Sequence, residues 1–208
     1  MLILPAIIAL VFAISFLTQP MLGAGWLWEV GNGLGFWALA GLLFQMIPLH
    51  RTDGARRHQT LGYWVLSIGF AHAFWMLATD SVVRVYLMPG APAYMWLGLI
   101  GLMTLAMLTV LAQMPDRMRI HKQFRSFRLW HRWLGILTVA AAVGHILLSS
   151  FYLSGWWQAV LLLGLATGCC LGRRIWSYLH TPLYALHLIY ALVGGVFVSL
   201  FTIIRNLP

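Results

Sequence analysis

Long runs without a single charged residue fill most of this sequence, and they leave few folds open. The runs are Leu2–Leu17, Gly33–Leu49, Leu61–Thr79, Ala93–Met114, Leu134–Leu153, Gly155–Gly172 and Leu183–Ile204. An apolar stretch of about 18 residues can cross a hydrocarbon core as a helix. A helix also satisfies its own backbone polar groups, as lipid demands. The pattern predicts an all-α integral membrane protein, a bundle of about seven transmembrane helices. Composition agrees. Only 8% of the 208 residues are charged and 62% are hydrophobic, against roughly 25% and 45–50% in soluble domains. A soluble domain, a disordered chain, a collagen and a disulfide scaffold are excluded. The first run has no basic residue before it, and the first charge is Glu29. It reads as a retained helix rather than a signal peptide. The connections are short, so residues 1–208 read as one membrane domain.

The connections alternate in charge. Arg51, Arg56 and Arg57 follow the second run. Arg117, Arg119, Lys122, Arg125, Arg128 and Arg132 lie before or at the start of the fifth, and Arg173 and Arg174 precede the seventh. These are eleven of the thirteen bases; the opposite side carries only Arg84 and Arg205. The positive-inside rule places the basic loops in the cytoplasm, the N-terminus inside and the C-terminus outside. It also explains a net charge of +9 without a nucleic-acid partner. Membrane lipid is the expected surrounding, and contact with its headgroups is the plain role of any single arginine. Trp26, Trp28, Trp96, Trp156 and Trp157 then fall near the outer interface, and Trp130, Trp133 and Trp176 near the inner one. Cys169 and Cys170 are adjacent, form no CxxC pair, and read as small apolar packing.

Eight histidines in so apolar a chain need an account, because an ionisable side chain within a membrane is costly. His50 and His121 fall in loops. Two segments match one another: His58-Gln-Thr-Leu61-Gly62 leading to His72, and His131-Arg-Trp-Leu134-Gly135 leading to His145. Each pair is fourteen residues apart, close to four helical turns, so its members share a face about 21 Å apart along the axis. The third and fifth helices run the same way. Side by side they set His58 level with His131, and His72 level with His145. Two histidines facing across a bundle are the axial ligands that a b-type haem iron accepts. Two levels predict two haems. Gly62 and Gly135, and Gly69 and Ala142, recur at equal offsets and predict a slot for a flat macrocycle. Two other readings remain: histidines bonded to each other in helix packing, and a proton relay in a channel or transporter.

At these residues the sequence resembles the ferric reductase-like transmembrane domain family, which includes the membrane part of NADPH oxidases and metalloreductases. The match comprises Arg57-His58-x2-Leu61-Gly62 to His72, and Leu129-Trp130-His131 to His145, and covers roughly residues 33 to 172. The resemblance implies metal ligation by His58, His72, His131 and His145, two b haems, and electron transfer across a bacterial inner membrane as an oxidoreductase component. The oxidases continue into a flavin- and nicotinamide-binding domain, which this sequence does not contain. Its one glycine cluster, Gly31-Asn-Gly33-Leu-Gly35, opens a membrane helix and follows no strand. The sequence is thus similar to stand-alone members, such as the haem-binding membrane subunit of the methionine sulfoxide reductase system. Trp176-Ser-Tyr-Leu-His180-x3-Tyr184 is similar to a ligand-bearing segment of that subunit. The partner histidine expected near Val193 is absent, and His187 lies seven residues after His180 instead. A rival arrangement therefore pairs His145 or His131 with the seventh helix and holds a single haem.

Arg57, Arg128 and Arg132 are placed to pair with the propionates of the cytoplasmic haem, and Arg84 is the only base expected near the outer one. The expected donor is a separate cytosolic flavoprotein reductase, steered by the basic surface, or a membrane quinol. The acceptor on the outer side is left open. A small anchoring subunit with a structural haem is the remaining alternative.

Overall fold

A computed structural model describes residues 2–17, 25–48, 54–85, 87–113, 124–176 and 186–207. The described chain is helical, with no strand. Its helices are α1 (Ile3–Phe16), α2 (Gly25–Gln45), α3 (Gly54–Thr79), α4 (Ser81–Val85), α5 (Ala93–Gln113), α6 (Phe124–Ser149), α7 (Trp156–Leu171), α8 (Arg173–Trp176) and α9 (Leu186–Asn206). Every expected run is represented. Five helices, α2, α3, α5, α6 and α9, are long and apolar enough to cross a membrane. The apolar helices α1 and α7 are shorter, with 14 and 16 residues. The chain is an all-α membrane bundle.

The helix starts differ from the apolar runs for a physical reason. α3 and α6 each have 26 residues, about 39 Å, which exceeds a hydrocarbon core of about 30 Å. Each continues past its apolar run through a basic turn, Arg56-Arg57 on α3 and Arg125 to Arg132 on α6. Long basic side chains can reach the interface from such turns. We call this the basic end, and the opposite one the far end. At the far end Asp80 caps α4, its Oδ1 accepting from the Val82 amide at 2.8 Å. Gln158 reaches back to the Gly155 amide at 3.0 Å and donates to the Ile14 carbonyl at 2.7 Å, which ties the start of α7 to the end of α1.

Four helices form a ring in chain order. α2 packs on α3, α3 on α5, α5 on α6, and α6 on α2. α3 and α6 therefore occupy one diagonal, and α2 and α5 the other. α9 covers α2 and α3, α1 lies against α2 and α9, and α7 closes over α6. The core runs from Ile8 and Phe12 of α1 through Phe36 and Leu43 of α2 to Tyr190 and Phe201 of α9. Cys169 and Cys170 belong to this core, unbonded. Exposed tryptophans mark both ends, Trp26, Trp96, Trp156 and Trp157 at the far end and Trp130 and Trp133 at the basic end. This matches a bundle held between two interfaces.

Candidate functional site: two facing histidine pairs

The duplicated spacing places its histidines at two matched levels. The rings of His58 and His131 face each other with centroids 6.0 Å apart and planes at 64°. Those of His72 and His145 are 6.5 Å apart, at 72°. Both contacts exist only if α3 and α6 run in the same direction with the same register. All four residues are partly buried.

The separation is informative. A metal–imidazole bond of about 2.0–2.1 Å, plus about 1.1 Å to the ring centre on each side, puts two axial rings about 6.3 Å apart. Both observed values lie within a few tenths of an ångström of that figure. Among the described residues there is no group of three or more His, Cys, Asp or Glu able to hold a metal ion. Each level offers two nitrogens, so a metal there must bring its remaining ligands with it. A macrocycle with four equatorial nitrogens does so.

Hydrogen bonding at the far-end pair fixes which nitrogen of each ring carries a hydrogen. Nδ1 of His72 lies 2.7 Å from the Gly31 carbonyl oxygen of α2, and Nδ1 of His145 lies 2.6 Å from the Tyr94 carbonyl oxygen of α5. A carbonyl only accepts, so each Nδ1 carries the hydrogen. In the neutral rings both Nε2 atoms are then acceptors. Two acceptors cannot bond to one another, so this pair is not a hydrogen bond across the bundle. A metal atom between them satisfies both, and second-shell carbonyl bonds of this kind orient metal-ligating histidines.

A cavity of about 290 Å³ adjoins this pair. It is lined by His72 and His145, by Asn32 and Leu39 of α2, and by Gly101 and Leu102 of α5. The lining thus comes from α2 and α5, the helices of the second diagonal, as well as from α3 and α6. Gly69 and Ala142 also line it, as their offsets predicted. Gly62 and Gly135 do not behave as predicted. A Cβ at Gly62 would meet the Gln45 amide nitrogen at 3.2 Å, and one at Gly135 would meet the Met46 sulfur at 3.2 Å. These two glycines admit the end of α2 rather than line the cavity.

Other expected residues fall into place unevenly. Arg57, Arg128 and Arg132 stand within one turn of the basic-end histidines on α3 and α6. Arg84 is held on the end of α3, donating to the Leu77 and Ala78 carbonyls at 2.8 and 3.3 Å. It is not the one base at the far end. His187 is exposed on α9, which packs on α1, α2 and α3 rather than on α6. The structure does not bring it to either pair. His180, His50 and His121 lie outside the described residues, as do Arg117, Arg119 and Lys122.

Sequence reasoning missed a buried charge cluster at the far end. Arg205 Nε donates to Glu29 Oε1 at 3.0 Å, with both side chains 2% exposed. Tyr152 donates to Glu29 Oε2 at 2.8 Å, and the guanidinium lies 4.8 Å from the Tyr152 ring centre. Tyr152 and its ring neighbour Phe36 both line the cavity. The sequence signal was available, since Glu29 lies in a window rich enough in apolar residues to span a membrane. Its partner is 176 positions away. The glycine cluster also has a different use from a helix start. It lies inside α2, where Gly31 faces Met76, Gly33 faces Val198 and Gly35 faces the His72 ring. The chain matches no protein-family model, no curated protein and no solved structure.

Proposed function

We propose that this chain carries electrons across a membrane through two b-type haems, each held between two histidines. His58 and His131 are the ligands at the basic end, His72 and His145 those at the far end. The observation that carries the reading is the pair of facing rings at two levels, 6.0 and 6.5 Å apart, on parallel helices. The levels are about 21 Å apart along the helices, which covers most of a hydrocarbon core. The sequence resemblance to the ferric reductase-like transmembrane domain family points the same way.

A bound haem supplies a one-electron ferric–ferrous couple whose potential follows from its ligands and surroundings. The chain's own residues do the rest. The four imidazoles would hold the two haems at their depths, and the bound groups would supply the one-electron couple that a partner outside the bundle reduces or oxidises. Leu39, Leu102 and Leu105 give the far-end cavity much of its apolar lining. Arg57, Arg128 and Arg132 are the bases available to carboxylates at the basic end. That end faces the cytoplasm of a bacterial inner membrane in this reading, and a separate flavoprotein reductase delivers electrons there. The acceptor lies on the outer side. A quinol within the bilayer is the rival donor.

The test is the reduced-minus-oxidised spectrum of the purified chain with haem counted per polypeptide. We expect b-type bands and two haems. His72→Ala or His145→Ala should remove mainly one, His58→Ala or His131→Ala mainly the other. A colourless protein, or a single haem lost only with His187→Ala, overturns the reading.

A further inference from the structure

The two histidine levels are not equivalently built. At the far end both rings are fixed from behind by the same device: a backbone carbonyl on the neighbouring helix and, one turn later, a glycine. On α2 these are Gly31 and Gly35; on α5 they are Tyr94 and Gly98. The carbonyls take the Nδ1 hydrogens at 2.7 and 2.6 Å. The glycines give the rings room, since a Cβ at Gly35 would lie 3.0 Å from Nδ1 and Cε1 of His72, and one at Gly98 would lie 3.0 Å from Nδ1 of His145. The cavity opens beside this pair.

The basic-end pair lacks that support. The His58 and His131 rings meet each other, and Phe127 stacks on His131 at 5.5 Å. Neither ring has a hydrogen bond among the described residues. The glycines at this level are occupied by Gln45 and Met46. Gln45 donates to the backbone oxygen of His58 at 3.0 Å, not to its ring.

A ligand already held in its bound tautomer and orientation loses less freedom on binding. Second-shell partners of metal-bound histidine are each worth about 10–100-fold in affinity. We infer that the two levels differ in haem affinity, and that His72/His145 is the site that fills first and holds its haem while His58/His131 fills second and can be emptied. This rests on the proposed function and adds an order to it. A chain with one haem carries it at the far end and lacks the level at which a basic-end donor would enter. Electron transfer through the whole chain then depends on occupancy of the weaker site.

Haem titration of the purified full-length chain in nanodiscs tests this, read by Soret absorbance. The His58→Ala/His131→Ala variant isolates the far-end site, and His72→Ala/His145→Ala isolates the basic-end site. The far-end site should bind at least about tenfold more tightly. Gly35→Ala and Gly98→Ala, each in the first background, should weaken it by about tenfold, while Gly62→Ala there should change nothing. Equal affinities, or a tighter basic-end site, overturn the inference and leave the haem reading standing. Haem bound by none of these proteins, wild type included, overturns both. Should a double variant fail to fold, wild type mixed with excess apomyoglobin gives the same answer. One haem should leave fast and one slowly, with the slow phase absent in Gly98→Ala. A single extraction phase, or a slow phase that Gly98→Ala leaves untouched, overturns the inference.

Discussion

Glu29 and Arg205 join the start of α2 to the end of α9, and neutralising one of them should cost far more than neutralising both. At 3.0 Å and an effective dielectric constant of about 20, Coulomb's law gives roughly 5–6 kcal/mol of attraction. Desolvation of two side chains that are each 2% exposed offsets most of it. The net worth of the pair is therefore small, and the cost of a widowed charge is large. Glu29→Gln leaves the guanidinium buried without a counter-charge. Its Nη2 has no hydrogen-bond partner among the described residues. We expect a loss of about 3–5 kcal/mol. Arg205→Met should cost less, because Tyr152 still donates to the carboxylate. The double variant should recover most of the stability that Glu29→Gln alone loses. The assay is unfolding of the purified chain in mixed micelles, run as a double-mutant cycle. Additive single effects would refute the reasoning, since they would mean that each charge is solvated on its own.

Three further outcomes are expected. A reporter active only outside the cytoplasm should be active when fused after Pro208 and silent when fused near Gln123; the reverse pattern overturns the assignment of the basic end to the cytoplasm. Ring planes at 64° and 72° predict strongly anisotropic low-spin ferric EPR signals from both haems, and the rhombic spectrum of near-parallel imidazoles counts against these rings as ligands. Stopped-flow reduction by a flavin reductase with NAD(P)H should be fast, should slow with added salt, and should slow again when Arg119, Lys122 and Arg125 are reversed in charge, with dithionite reduction unchanged. Fast reduction by a quinol, beside slow and salt-independent reduction by the flavoprotein, rules out the cytosolic donor.

The helices and the histidine levels were legible because each rests on a period. Uncharged runs mark membrane helices, and fourteen residues return a side chain to the same face after nearly four turns. The partners of those histidines carry no such mark. Every residue has a carbonyl, so nothing in the sequence singles out Gly31 or Tyr94. A glycine beside a ring reads the same as one beside a helix, which is why Gly62 and Gly135 were expected to line a slot and instead meet Gln45 and Met46. Arg205 read only as one of two bases on the outer side, because its partner is far away in sequence. Only the packing of α9 on α2 brings that charge to Glu29.

The ring order explains why one repeated spacing suffices for two sites. Consecutive membrane helices alternate in direction, so in a ring built in chain order each neighbour is antiparallel and each diagonal is parallel. α3 and α6 are a parallel diagonal. The same fourteen-residue interval on both then produces two level histidine pairs, with no other helix needing to supply a member. α2 and α5 form the other diagonal and run the opposite way, so both meet the far-end histidines with their N-terminal halves. Gly31 and Tyr94 belong to those halves. At the basic end α2 arrives with its C-terminal residues Gln45 and Met46 and fills the space beside Gly62 and Gly135 with side chains. The inequality of the two levels is thus a consequence of direction. A helix pair that supports one level with carbonyls and glycines reaches the other with different residues, and no shift of register on α3 and α6 can make the levels alike. Equalising them requires a change on α2 or α5. Small residues in place of Gln45 and Met46 would open space beside Gly62 and Gly135, but they bring no carbonyl to the His58 and His131 rings, so the basic-end level should gain room for haem and still bind it more weakly than the far-end level.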